Sequence, residues 1–322
     1  MATTIISAAT NSDLDTGSYF ELAARAALTC VQRAEVGLDE IGMLINAGVF
    51  RDSNLCEPAV AALIQKRIGL GLAYEAGRAP TFSFDLMQGA TGLLHAIVTA
   101  DAFLATGATK YALLVAGDVH PSTEGHVTDF PYSSGGAALL LGSSPTAGGF
   151  GRLHTCETPG PVDPMAWVDL GEAGADGRRV ICVRAGAQDP VDSAVAVVRS
   201  CVDEEGLDGG DFAEGQALLL VPANVPGFRT RLANALAVPS RSVIGFAPSV
   251  GVPYTAAPVH AYLNAVDVGL VETARTVIFL AADGTSAACL AYHPPSVSPG
   301  KRAPSGRTHD ADTPGRAATG VC

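Results

Sequence analysis

Residues 81–118 read TFSFDLMQGATGLLHAIVTADAFLATGATKYALLVAGD, and residues 241–283 read RSVIGFAPSVGVPYTAAPVHAYLNAVDVGLVETARTVIFLAAD. In both, a strand-like run gives way to a turn of small residues and a long helix-patterned segment. A second strand then ends in Asp118 or in Asp283, and a small-residue turn opens a third, SSGGAALLLG or GTSAACLAYH. Working outward, ELAARAALTCVQRAEV (21–36) leads through Gly37, Leu38 and Asp39 into IGMLINAGV. Likewise SAVAVVRSCVDEE (193–205) leads through Gly206, Leu207 and Asp208 into QALLLVPANV. The halves match at an offset of about 165 residues, the mark of an internal repeat.

Strands built almost wholly of Val, Ile, Leu and Ala, alternating with helices, indicate parallel-rich sheets covered on both faces. The expected fold class is therefore α/β: two mixed, parallel-rich sheets in a five-layered αβαβα body. Its N-terminal half is expected over 1–150 and its C-terminal half over 151–293. Gly142 to Asp189, rich in Gly, Pro and Asp and containing Trp167, reads as an irregular joint. Residues 294–322, nearly devoid of apolar side chains, read as a disordered tail.

The chain has 322 residues, 48% of them apolar, which is enough for a large core. Its net charge of −12, with Lys and Arg scattered, argues against a nucleic-acid partner. The first residues, MATTIISAATNSDLDTG, carry no basic region ahead of a short apolar run, and no run reaches membrane-span length. A cytoplasmic location is expected. Seven cysteines, an odd number, show no zinc spacing, and most of them read as small buried thiols in a reducing compartment. Asp118-x-His120, with His126 further along, could bind a metal only with a third ligand that the sequence does not supply, so no metal or cofactor is expected.

FDLMQGATGL (84–93) places Ala90, between Gly89 and Thr91, where backbone N–H groups point past a helix N-terminus. Such a turn favours an anion or a polarised carbonyl and lowers the pKa of a thiol. It suits a nucleophile elbow, and equally a tight turn that uses glycine for close packing.

This stretch resembles the F-D-x-x-x-x-C-x-G nucleophile segment of ketoacyl-ACP synthase III and related thiolase-fold condensing enzymes, which are duplicated proteins. INAGVFRDSNLCEPAVAALIQKRIG (45–69), YALLVAGDVHPS (111–122) and FPYSSGGAALLLG (130–142) are similar to family segments in the same order, so the resemblance spans roughly 15–293. It implies acyl thioesters delivered on CoA or on the phosphopantetheine of an acyl carrier protein, in fatty-acid-like or polyketide secondary metabolism.

Carried over position by position, the family's cysteine falls on Ala90. Its Pro-His-Gln-Ala-Asn histidine falls within VPANVPGF, on Val221, Ala223 or Asn224, and its Gly-Asn-Thr asparagine falls on Val252 after Gly251. The oxyanion turn reads Ala281-Ala282-Asp283-Gly284. No thiolate can form an acyl-enzyme at residue 90, and losing one oxyanion donor costs about 100-fold to 1000-fold in rate. The chain is therefore expected to be a non-catalytic partner of an active ketosynthase paralogue, as a heterodimer, with a homodimer the other arrangement.

Several alternatives stand beside that expectation. One is direct condensation without an acyl-enzyme, in which Glu57, in a Glu-Pro resembling that of head-to-head condensing relatives, acts as the base. Glu57 and Pro58 would equally suit the start of a helix. Cys56 could be a displaced thiol or a small apolar residue, and His95, five residues beyond Ala90, reads as a packed helix residue. A binding module for an acyl chain is a further alternative. A designed Cys-to-Ala substitution would also leave an alanine at residue 90, although it would not remove the histidine and asparagine as well. The substrate-facing set is expected to be Gly89, Ala90, Thr91, Glu57 and Cys56.

Overall fold

Runs such as Leu113–Leu114–Val115 and Val277–Ile278–Phe279 cannot be left in water, and the fold buries them from both sides. In a computed structural model, residues 2–13, 15–55, 57–72, 80–122, 130–145, 148–157, 164–168, 181–186, 188–222 and 226–295 are described. In chain order the N-terminal half comprises β1 (Ala2–Asn11), α1 (Tyr19–Ala34), β2 (Ile41–Asn46), α2 (Val60–Ile68), β3 (Phe82–Asp85), α3 (Gly92–Ala105), β4 (Tyr111–Asp118) and β5 (Gly135–Ser144). The C-terminal half follows with β6 (Gly149–Glu157), β7 (Ala166–Val168), β8 (Ile181–Val183), α4 (Val191–Glu205), α5 (Gly209–Ala213), β9 (Ala217–Leu220), α6 (Phe228–Leu236), β10 (Val243–Ile244), α7 (Ala257–Asp267), β11 (Thr276–Ala282) and β12 (Ser286–His293).

The first sheet has strand order β1-β5-β4-β2-β3 and the second β10-β9-β11-β12-β6. Reversed, the second order repeats the first, strand for strand. In each sheet three strands run parallel from one edge (β3, β2 and β4; β10, β9 and β11), and the next strand, β5 or β12, returns antiparallel and pairs antiparallel with the other edge, β1 or β6. Helices α3 and α7 lie between the sheets in one apolar cluster, α1 and α2 cover the first sheet, and α4 and α6 cover the second. These are the five layers read from the sequence.

Local chemistry sets the helix ends. Ser18 caps α1 by accepting from the Glu21 N–H, and Glu35, with φ 54°, closes it in the left-handed region. Helix α1 lies so close to β5 that a Cβ on Gly136 would come within 2.4 Å of the Leu22 carbonyl carbon, so only glycine fits there.

Residues 2–11 form β1, paired antiparallel with β5. One expectation is corrected: the 142–189 stretch is not wholly irregular, since β5 continues to Ser144, β6 pairs with β12, and β7 pairs antiparallel with β8. The counterpart of β1 thus starts at Gly149, and residues 296–322 lie outside the described residues.

Burial holds the His260 imidazole, on α7, down to about 4 from an ordinary 6.5. A histidine whose folded value is depressed contributes its full stability above the unfolded value and loses it as the pH falls toward the folded one. Unfolding free energy is expected to drop by roughly 2 kcal/mol between pH 6.5 and pH 4 on account of this residue. Urea titrations across that range should show a shallower pH slope for His260→Gln, and an unchanged slope would remove His260 as its source.

Candidate active site

The site is built where the two halves exchange side chains. Asp118 and Asp283 end equivalent central strands, and each reaches the helix-opening turn of the opposite half. The Asp118 carboxylate accepts the Thr255 N–H at 2.9 Å and its hydroxyl at 2.7 Å, just ahead of α7. It also accepts the Val49 and Phe50 N–H groups at 3.3 and 2.9 Å. Asp283 Oδ2 accepts the Tyr254 hydroxyl at 2.8 Å and faces the Ala90 N–H at 3.5 Å, just ahead of α3. Its Oδ1 is held by Thr285 N–H (2.7 Å), Thr285 hydroxyl (2.6 Å) and Ser286 N–H (3.0 Å).

Ala90 is 4% exposed and follows Gly89, whose φ of 53° makes the turn. Above it stands an aromatic stack. Tyr132 and Tyr254 have ring centroids 4.5 Å apart at 20°, and Phe50 lies 5.8 Å from each. Burial first, and then the Asp283 charge, pushes the Tyr254 and Tyr132 hydroxyls upward, so both remain protonated donors. At this turn a carboxylate already sits where the helix N-terminus would favour an anion.

Beside the elbow lies a cavity of about 490 Å³ between the Phe50–Arg51 loop and the paired strands β7 and β8. Among the described residues no group of His, Cys, Asp and Glu could hold a metal ion, and no helix is long and apolar enough to cross a membrane. The Asp118 carboxylate is taken up by backbone N–H groups and Thr255, and His126 lies outside the described residues.

A family model for 3-oxoacyl-[acyl-carrier-protein (ACP)] synthase III matches residues 84–157, the stretch holding the elbow and its following strands. Among curated proteins, the beta-ketoacyl-[acyl-carrier-protein] synthase III of Desulfitobacterium hafniense is 30% identical over 173 residues, 53% of this chain and 45% of that protein. That of Escherichia coli K12 is 28% identical over 168 residues, 48% of this chain and 49% of that protein. The aligned stretch thus spans about half or less of these relatives' own length. Among solved structures, 3-oxoacyl-(acyl carrier protein) synthase III from Pseudomonas aeruginosa PAO1 matches with a TM-score of 0.67 and 17% identity, over 93% of this chain and 100% of that one. The priming beta-ketosynthase of the R1128 polyketide biosynthetic pathway matches with a TM-score of 0.71 and 16% identity, over 91% and 96%. The chain has the thiolase fold of these structures, and about half of it is similar in sequence to ketoacyl synthase III.

In this thiolase-fold chain, Gly89, Ala90 and Thr91 lie at the mouth of α3, with Thr91 Oγ1 donating to the Gln88 carbonyl at 2.9 Å. Val252 packs against the cluster containing Ala90, yet its N–H is spent on Ser133 Oγ at 2.8 Å. The polar side chain that reaches Ala90 from this loop is Tyr254, not residue 252. Val221 is buried under α4 and α6, on the opposite face of its sheet, while Ala223, Asn224 and Cys56 lie outside the described residues. His95 is half-buried on α3, its Nδ1 3.0 Å from the Thr91 carbonyl.

Glu57 is exposed and does not cap α2, which starts at Val60 after Ala59, so Pro58 is not its first residue. Asp85 performs the capping, accepting the Val60 and Ala61 N–H groups at 2.8 Å each. Sequence reasoning missed Tyr254 as a site residue and named Asp283 only as part of the oxyanion turn. The repeat carried a signal for both, because superposing the halves lays Tyr254–Thr255 on the Ala90 turn and Asp283 on Asp118.

Proposed function

We propose that this chain handles acyl groups carried as thioesters on CoA or on an acyl carrier protein, in fatty-acid-like or polyketide secondary metabolism in the cytoplasm. In this reading it does so as a non-catalytic subunit paired with an active ketosynthase. One observation carries the reading: at the elbow an alanine methyl replaces any nucleophile, and the Asp283 carboxylate faces the N–H that would steady an oxyanion. A developing negative charge there would meet a fixed one.

The edge of the first sheet supports pairing. Among the described residues no strand pairs with the outer edge of β3, and Phe82 is 56% exposed beside Phe84 and Phe103, at 5.1 and 6.5 Å. An exposed edge with an aromatic patch calls for a covering chain. Co-expressed with a ketosynthase III-type enzyme, the chain should elute as a mixed dimer, and Phe82→Asp should weaken the pairing by at least about 30-fold. Purified alone and exposed to acyl-CoA and malonyl-CoA, it should give neither a mass adduct nor product. A covalent acyl adduct, or steady turnover by the chain alone, would sink the reading.

Glu57 favours a second reading, direct condensation without an acyl-enzyme, because its carboxylate is exposed and relieved of helix capping. Turnover abolished by Glu57→Gln would support it, and a rate unchanged by that substitution would rule Glu57 out as the base.

A further inference from the structure

The cavity beside the elbow is walled by Phe50, Arg51, Met87 and Gly89 on one side and by Trp167 and Ile181 on the other. Its volume, about 490 Å³, falls in the range of small-molecule sites. Within this mostly apolar wall stands one full positive charge. Arg51 is only 5% exposed. Its guanidinium donates to the Leu55 carbonyl and, at 3.0 Å, to that of Val49, and it touches Met87 Sδ. Carbonyl dipoles hold the group in place but do not neutralise it.

The carboxylates on the neighbouring elements are committed elsewhere. Asp52 accepts the Tyr19 N–H at 2.8 Å, Asp85 caps α2, and Asp118 binds the Val49 and Phe50 amides together with Thr255. The ion pairs found among the described residues involve Arg25, Arg67, Lys110, Arg152, Arg231, His154 and His293, not Arg51. A buried cation without a counter-ion is costly, so an anion entering beside it relieves that cost. The elbow's own anion-favouring amide, the Ala90 N–H, already faces Asp283.

We propose that Arg51, rather than the elbow, is the anion-recognising residue of this cavity, and that the cavity takes a ligand with an apolar body and a carboxylate end. The guanidinium fork suits a carboxylate held through two parallel hydrogen bonds, and the Phe50 and Trp167 rings suit the apolar body. The inference rests on the reading that acyl groups lie in this cleft, and narrows them to acids.

Trp167 is the chain's single tryptophan and lines the cavity, so its fluorescence reports on occupancy without a label. Titration of the full chain with octanoate should give a saturable change, with an affinity at least about tenfold greater than for octanamide, which has the same length and no charge. Arg51→Gln should erase that preference and Arg51→Lys should keep it. Because Arg51 also holds its own loop, the comparison on the unaltered chain stands by itself. Equal affinities for the two probes, or no saturable response to either, would overturn the proposal whatever the variants do. The titration contains no partner subunit and no thioester, so its failure is distinct from a failure to pair or from the appearance of turnover.

Discussion

Replacing Asp118 by alanine is expected to lower the unfolding free energy by about 3–5 kcal/mol, the largest loss from any single polar substitution near the site. The carboxylate is 1% exposed, and burial pushes its pKa up while its hydrogen bonds oppose the shift. Removing it strands the buried Phe50 and Thr255 N–H groups and the part-buried Val49 N–H, while the Thr255 hydroxyl keeps the Gly117 carbonyl, 3.1 Å away, as an acceptor. Each buried donor left without an acceptor costs about 1–3 kcal/mol, and only partial relaxation is open to donors on two different segments. Asp118→Asn, which keeps one acceptor but turns an amide toward Thr255, should lose about half as much. Urea unfolding at neutral pH measures both, and a loss below about 1 kcal/mol for the alanine variant would contradict the assigned role.

A cysteine introduced at residue 90 is expected to be unreactive for as long as Asp283 is present. Two effects compete at that thiol. The N-terminus of α3 favours a thiolate by up to about 2 kcal/mol. A carboxylate roughly 4 Å away disfavours it by about 4 kcal/mol at the effective dielectric of a protein site, so repulsion wins and the thiol pKa lies above its ordinary value. Iodoacetamide should label Ala90→Cys at neutral pH at least about tenfold more slowly than Ala90→Cys/Asp283→Asn, since one pKa unit is a factor of ten in thiolate. Equal labelling rates would show that Asp283 does not control the elbow.

The duplicated α/β layering was legible in the sequence because apolar runs and helix patterns recur at one spacing in both halves. The edge strands β1 and β6 were not. TTIISAAT and GFGRLHTCE are half-exposed and mix polar with apolar residues, and nothing local distinguishes them from loop until β5 and β12 offer partners. At the site, the elbow geometry at Ala90 could be read from a strand, small residues and a helix in succession. The plug above it could not, because Tyr254 and Asp283 approach Ala90 only after the second half has folded against the first. Asp85 was hidden in the same way: a helix cap borrowed from a neighbouring strand leaves no trace in the residues just ahead of the helix.

The crossed contacts of Asp118 and Asp283 also bear on whether the chain can be divided. Each half holds an acid that the other half's helix start requires, and neither acid finds that partner at home. A chain cut between β5 and β6 should yield two fragments that are insoluble or partly structured when made singly and that reassemble when made together. Fragment complementation, rather than independent domain folding, is the behaviour this duplicated architecture dictates.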